Sequence, residues 1–407
     1  MNIYLDNAAT TKLSEKAFDE MKKAFFDMYG NPSSRHFKGV DAEKLVNEAR
    51  KTIASELKCE EKEIVFTSGG TESNNMALIG TALANRRRGK HIITTNFEHA
   101  SVYNPLLFLE KEGYEITFAK ADSMGRVDPS YLASLVRDDT ILVSTMMVNN
   151  EVGSVLDIAA LTKAVKAKNP NTLYHVDAIQ GFPKYKILPK KLGVDLMSVS
   201  SHKFNGPKGC GFIFIKDKTK ISPIIFGGGQ QKDMRSGTEN VPGIVGMTAA
   251  ISEYCKKREE NCEKMYALKE RLVKGLLALN GTGNIDGIRI NALFEENDDP
   301  KSVDVETLKT RIRATAPHIV SVGFPKAKSE VFLHVLEMKG ICVSSGSACS
   351  SNHPAISGSL KAIGVPNEYL DTTLRFSLSP DNTGDEIDYV IKTIKEELPT
   401  YMQFFRK

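Results

Sequence analysis

The sequence predicts an α/β fold, a large and mainly parallel sheet of seven strands joined to a smaller α+β region. Three observations predict it. From about residue 60 to 215, short β-rich runs alternate with amphipathic helical stretches, the order that gives a parallel sheet covered by helices. After residue 279 this alternation gives way to scattered short strands and helices. A chain of 407 residues also exceeds the usual size of one hydrophobic core.

The strand candidates are EIVFT (63–67), HIITT (91–95), EITFA (115–119), ILVSTMMV (141–148), TLYHV (172–176), DLMSVS (195–200) and GFIFI (211–215). Between them a helix is expected over 157–168: Asp157 can cap it, Ile158, Leu161 and Val165 share a face, and Asn169-Pro170 ends it. Apolar residues from Tyr254 to Leu276 recur at helical spacing, so one long helix is expected over 251–279, bridging two domains. RINALF, HIVSVGF, the helix-like EVFLHVLEMKG and a last helix near 384–397 supply the smaller region. Within it SSGSACSSNHPAISG reads as loop.

Hydrophobic residues at 41% and charged residues at 26% are ordinary for a soluble globular chain. The balance of 54 Lys+Arg against 50 Asp+Glu leaves +4, and apart from Arg86-Arg87-Arg88, which reads as a solvated helix end, the basic residues are scattered. Direct nucleic-acid binding is therefore not expected. No apolar run approaches a membrane span and the first residues show no leader pattern, so a cytoplasmic protein is expected. The six cysteines show neither a C-x-x-C pair nor framework spacing, which argues against disulfides and a structural metal.

Three segments converge on one chemistry. In DLMSVSSHKFNGPKGCGF, Lys203 stands in a turn at a strand's C-terminal end, where an amine can face the ligand crevice of an open α/β sheet. In HVDAIQ, Asp177 ends another strand, and a carboxylate there can pair with a protonated pyridine nitrogen. In FTSGGTESNN, a strand, a glycine turn with Gly70, Thr71 and a helix start offer N–H and hydroxyl donors to a phosphate. Separately each has an ordinary structural explanation; together they form a phosphate cup, a pyridinium partner and a Schiff-base lysine.

With YLDNAATT, GNPSSRH, TSGGTESNN, EHAS, VNNEVG, HVDAIQ, SSHK, MRSGTEN, SSGSACSS and LRFSLSP in order, the chain resembles the cysteine desulfurases. These form part of the class V aminotransferase branch of the fold-type I pyridoxal-phosphate (PLP) enzymes. The resemblance implies PLP as cofactor, a Schiff base on Lys203, Ser200 and His202 at the phosphate, and His99 stacked on the pyridine ring as part of the catalytic set. It further implies Asp177 at the ring nitrogen and Gln180 at the phenolic oxygen. Thr238, in MRSGT, is expected to reach the phosphate of a partner subunit in a homodimer. Arg375 and Asn150, with Asn31 of GNPSSRH, are expected to bind the substrate, arginine being suited to a bidentate grip on the α-carboxylate.

The nucleophile is expected to be Cys349 in SSGSACSS, among small polar neighbours, with Cys342 as its chief rival. No resident metal is expected, although Cys349 could serve as a transient iron–sulfur ligand. The large PLP-binding domain is expected over 16–257, and a small domain carrying the cysteine loop over 1–15 and 258–407. The implied activity is removal of sulfur from L-cysteine, giving L-alanine and a persulfide on Cys349 for an iron–sulfur scaffold or a tRNA-thiolation enzyme. The alternative is another enzyme of the branch, an aminotransferase or a selenocysteine or cysteine-sulfinate lyase. Three departures stand out: Gly70 where many relatives have Ala, Ile179 where relatives often have a hydroxyl, and an additional thiol, Cys210, close to Lys203 in sequence.

Overall fold

Runs of Ile, Val, Phe and Thr bounded by turn residues form strands at all seven expected places. The computed structural model describes residues 2–295, 298, 302–345 and 357–403. In chain order its strands are β1 (Ile3–Tyr4), β2 (Ile64–Thr67), β3 (His91–Thr95), β4 (Glu115–Ala119), β5 (Thr140–Met146), β6 (Leu173–Asp177) and β7 (Leu196–Ser200). There follow β8 (Gly211–Ile215), β9 (Arg289–Ile290), β10 (Ile319–Gly323), β11 (Ile341–Cys342), β12 (Ser344–Ser345) and β13 (Thr373–Ser377).

The large sheet has the order β2-β8-β7-β6-β5-β3-β4. Its pairs are parallel except at β8, which is antiparallel to both β2 and β7. Every residue of β3, β5 and β7 is buried, as expected of strands covered on both faces. From β3 the chain passes outward to β4, whereas from β5 it passes the other way to β6. A crevice therefore opens at the C-terminal ends of β3 and β5, the usual ligand position in such sheets.

The helix Ile158–Lys168 is capped by Asp157, whose side chain accepts from the N–H of Ala160. The expected single helix over 251–279 is instead two, Val241–Lys256 and Arg258–Leu277, interrupted where Lys257 leaves helical geometry (φ −112°, ψ 14°). The first begins earlier than periodicity suggested because Asn240 caps it and Pro242 occupies its first turn. Its apolar face, Val241 to Tyr254, joins the core around the large sheet. The second helix buries Met265, Leu268, Leu272 and Leu276 in a separate core with β10, β13, the helix Gly384–Gln403, and Ile3 and Leu5 from the N-terminus. That core backs an antiparallel sheet of order β12-β13-β10-β9, beside the parallel pair β1-β11. The break at Lys257 thus lets one amphipathic stretch serve two cores.

Among the described residues, no helix is long and apolar enough to cross a membrane.

Candidate active site

At the mouth of the crevice lies a cavity of about 290 Å³. Its walls include Gly70, Thr71, His99, Asn150, Asp177, Gln180, Ser200, His202, Lys203 and Arg375, so one space gathers ten of the expected residues, nine from the ends of large-sheet strands and Arg375 from the middle of β13. Asn31 and Thr238 are exposed and lie outside this cavity. Cys349 lies outside the described residues. A second, more open cleft of about 560 Å³ passes Arg50, Lys62 and Glu239, but its charged side chains are of mixed sign and bring no catalytic set together.

Beyond β2, Gly69 takes φ +148°, a value glycine tolerates, and turns the chain into the helix beginning at Gly70. Gly69 has no side chain with which to cap it, and the first N–H groups of a helix lack intrahelical partners. Glu72 in that first turn accepts from the N–H of Ser68 and pairs with Arg235 at 2.8 Å, tying the turn to the segment that precedes Thr238.

Asp177 ends β6 with 3% of its surface exposed. Its Oδ1 accepts from the N–H of Ile179 at 3.0 Å and its Oδ2 from Asn74 Nδ2 at 2.8 Å. Burial raises its pKa, opposed by these bonds and by His99 and Lys203, so the ionised form gains from a cation placed in the cavity. Asn74 uses the same amide nitrogen to donate to Ser101 Oγ at 2.9 Å, and that oxygen lies 2.8 Å from His99 Nδ1. Nδ1 also accepts from the N–H of Ser101, which leaves the ring proton on Nε2. Burial lowers the His99 pKa and favours this neutral ring. Asn74, set in the helix of the glycine turn, was not singled out in the sequence; its polar neighbours in TESNN gave no sign that it alone joins Asp177 to His99.

Lys203 follows β7 in the turn Ser201–Lys203, and its Nζ donates to the carbonyls of Ala8 and Ala9, each at 2.7 Å. The N-terminal YLDNAATT thereby forms one wall of the site. Gln180 Nε2 also donates to Ala8 O, at 2.8 Å. His202 lies 3.2 Å from Thr10 Oγ1, and burial pushes its pKa down to about 4. Lys184, another residue the sequence did not mark, is buried and donates to the backbone carbonyl of Lys203 at 3.0 Å.

On β13 the buried Arg375 donates through Nη1 to Asn150 O at 2.8 Å and through Nη2 to Asp6 Oδ1 at 2.9 Å, while Nε has no partner among the described residues. Next to Asn150, Glu151 receives hydrogen bonds from Ser357 and Ser359. On the other side, Ser344 of β12 pairs with Arg375. Both flanks of the segment containing Cys349 are thus fixed near Arg375 and Asn150. Cys210, by contrast, is buried with its sulfur 4.0 Å from Met247 Sδ, within the large core rather than at the cavity.

The aminotransferase class-V family matches residues 3–292 and 300–390. The chain is 39% identical to the cysteine desulfurase IscS of Methanosarcina thermophila, over 97% of this chain and 91% of that one. The chain belongs to the cysteine desulfurase family. A Bacillus subtilis relative, putative cysteine desulfurase IscS 1, is likewise 39% identical, across 97% of this chain and 98% of its own. Among solved structures, a NifS-like protein superposes with a TM-score of 0.87 at 36% identity, covering 98% of this chain and all of that one. SspA in complex with cysteine gives 0.76 at 28% identity, covering 94% of this chain and 100% of its own. The fold is accordingly that of the fold-type I PLP enzymes, and the motifs that hold Gly70, His99, Asn150, Asp177, Lys203 and Arg375 line one cavity.

Proposed function

We propose that the chain holds PLP in this cavity and acts as a cysteine desulfurase, taking sulfur from L-cysteine, releasing L-alanine and passing the sulfur to Cys349. The observation that carries the proposal is the set of three groups around one small cavity: the buried carboxylate of Asp177, the amine of Lys203 and the guanidinium of Arg375. These residues fit PLP. A buried carboxylate favours a cationic ring nitrogen, neutral His99 offers a face for the ring, and Gly70, Thr71, Ser200 and His202 supply donors for the phosphate. Gln180 would donate to the phenolic oxygen and Lys203 would hold the cofactor covalently. Once bound, PLP supplies an electron sink for the bond broken at the substrate Cα.

Arg375 then binds the α-carboxylate, aided by Asn150, with Asp6 and the Asn150 carbonyl keeping the guanidinium in place. Lys203, once free of the cofactor, moves the Cα proton. The Cys349 thiolate bonds to the substrate sulfur as the Cβ–S bond breaks. The electron pair stays on the carbon fragment, which takes up protons and leaves as L-alanine. Fixed flanks beside Arg375 support Cys349 as the thiol concerned, and burial pushes Cys59 and Cys210 up to about 12 and Cys255 to about 11, which keeps them as thiols.

Thr238, exposed outside its own cavity, is assigned to a partner's phosphate site in a homodimer, and Asn31 to the substrate side. The exposed Phe26, Tyr29, Phe37 and Phe226 are consistent with a subunit contact. The domains are assigned to 16–257, and to 1–15 with 258–407. An iron–sulfur scaffold or a tRNA-thiolation enzyme in the cytoplasm is the assigned acceptor.

The test is an assay of alanine and sulfide from L-cysteine with a reductant. Cys349→Ser should retain PLP and lose turnover by orders of magnitude, because a hydroxyl attacks sulfur far less readily than a thiolate. Mass spectrometry should find the added sulfur on the Cys349 peptide of the parent enzyme. Full activity in the variant, or sulfur on Cys342, would move the nucleophile.

A further inference from the structure

His318 precedes β10 and therefore approaches Gln180, a wall residue of the cavity, from the smaller sheet and not from the large one. It is 1% exposed, and its Nε2 lies 3.1 Å from Gln180 Oε1 while Nδ1 has no partner among the described residues. The charged groups facing it are Lys184 from the segment after β6, Lys203 after β7, Lys269 from the helix Arg258–Leu277, and Arg375 from β13. Burial first, and then these cations, keep the imidazole neutral. Because Oε1 of an amide can only accept, the ring proton must be on Nε2. That bond fixes the Gln180 amide with its oxygen toward His318 and its NH₂ toward Ala8 O and the cavity.

We propose that His318 is a positioning residue that acts through Gln180, holding its amide so that it can only donate to the phenolic oxygen of bound PLP. The proposal rests on the PLP assignment above. A donor makes that oxygen a weaker base, so it helps set the pH at which the visible band of the bound cofactor titrates. Without His318, Oε1 is buried without a donor, and the bond from Nε2 to Ala8 O is left to hold the amide.

The test is a pH titration of the visible absorbance of the holoenzyme. His318→Phe and His318→Met, which lack a donor, should shift the midpoint upward by about 0.5–1 pH unit, the size expected from loss of one hydrogen bond. His318→Gln, which retains one, should restore the parent midpoint. Gln180→Ala should give a shift of the same sign, and adding His318→Met to it should produce no further shift. A midpoint unchanged in both His318→Phe and His318→Met overturns the proposal. So does a His318 shift that adds in full to that of Gln180→Ala, which would mark an effect of the surrounding cations instead. Failure of the PLP assignment looks different: the parent protein would show no visible band with PLP, or Gln180→Ala would leave the midpoint unmoved, and the role of His318 would fall with it.

Discussion

Gly70 and Ile179, separate departures in the sequence, are neighbours in space. A Cβ on Gly70 would stand 2.2 Å from Ile179 Cδ1 and 3.3 Å from Ser200 Cβ, so the larger side chain at 179 occupies the room a methyl at 70 would need. Gly70→Ala is therefore expected to cost about 1–3 kcal/mol from overpacking and to weaken PLP binding. Ile179→Ala in the same chain should recover most of the loss, as read by thermal unfolding and PLP titration; equal damage with and without it would refute the pairing. Such a coupling across 109 positions is invisible in one sequence. Lys203, Asp177 and Arg375 were legible because their chemistry recurs within recognisable motifs. Lys184, Asn74 and His318 were not, since a buried polar residue has no signature until its partners are known. Arg375→Ala should raise the KM for cysteine strongly with the visible band intact, because removing one member of a buried charge pair costs about 2–5 kcal/mol. An unchanged KM would place the carboxylate elsewhere.

Element by element, legibility followed length and burial. The inner strands of the large sheet were readable because burial on both faces demands continuous β-branched and aromatic runs, whereas the edge strand β4 is partly exposed and shows as a short β-rich run. β9, β11 and β12 span two residues each and are too short to show any periodicity. The helix Ile158–Lys168 was readable to the residue at its start because its cap is a side-chain hydrogen bond, from the N–H of Ala160 to Asp157 at 3.0 Å. Asp157→Ala should lower stability by about 1 kcal/mol in urea unfolding while leaving cysteine turnover intact. A loss of turnover would mean that this helix supports the site more directly than its position on the outside of the sheet indicates. The break at Lys257 escaped periodicity because apolar spacing continues through it: both helices present an apolar face, but to different cores.

For the whole molecule, buried histidines set the response to acid. Burial pushes His175 down to about 3 and His318 well below its usual value, and His202 to about 4. An unfolded imidazole binds its proton near pH 6.5, so below that pH the unfolded chain gains protons that the folded chain refuses. Glu98 opposes this, since burial raises it to about 8 and the folded chain holds its proton between the ordinary carboxyl range and pH 8. His91 and His99, also lowered by burial, act with these histidines, and Asp177 and Glu151, also raised by burial, act with Glu98. With five histidines against three carboxyls, stability should fall from pH 6.5 to 4.5 by on the order of 1.4 kcal/mol per pH unit for each net proton. Urea midpoints of the PLP-free protein would measure it, and a flat profile would contradict the burial of these rings. The serine bonds to Glu151 and the pairing of Ser344 with Arg375 carry one more consequence, for traffic rather than chemistry. Cys349 is the fourth residue after Ser345, and four residues span at most about 14 Å. Sulfur carried on Cys349, as proposed, would therefore stay within this radius of Ser345. An acceptor for it would have to bring its own receiving group to the rim of the crevice, so the count of residues between Ser345 and Cys349 would set how closely the two proteins dock.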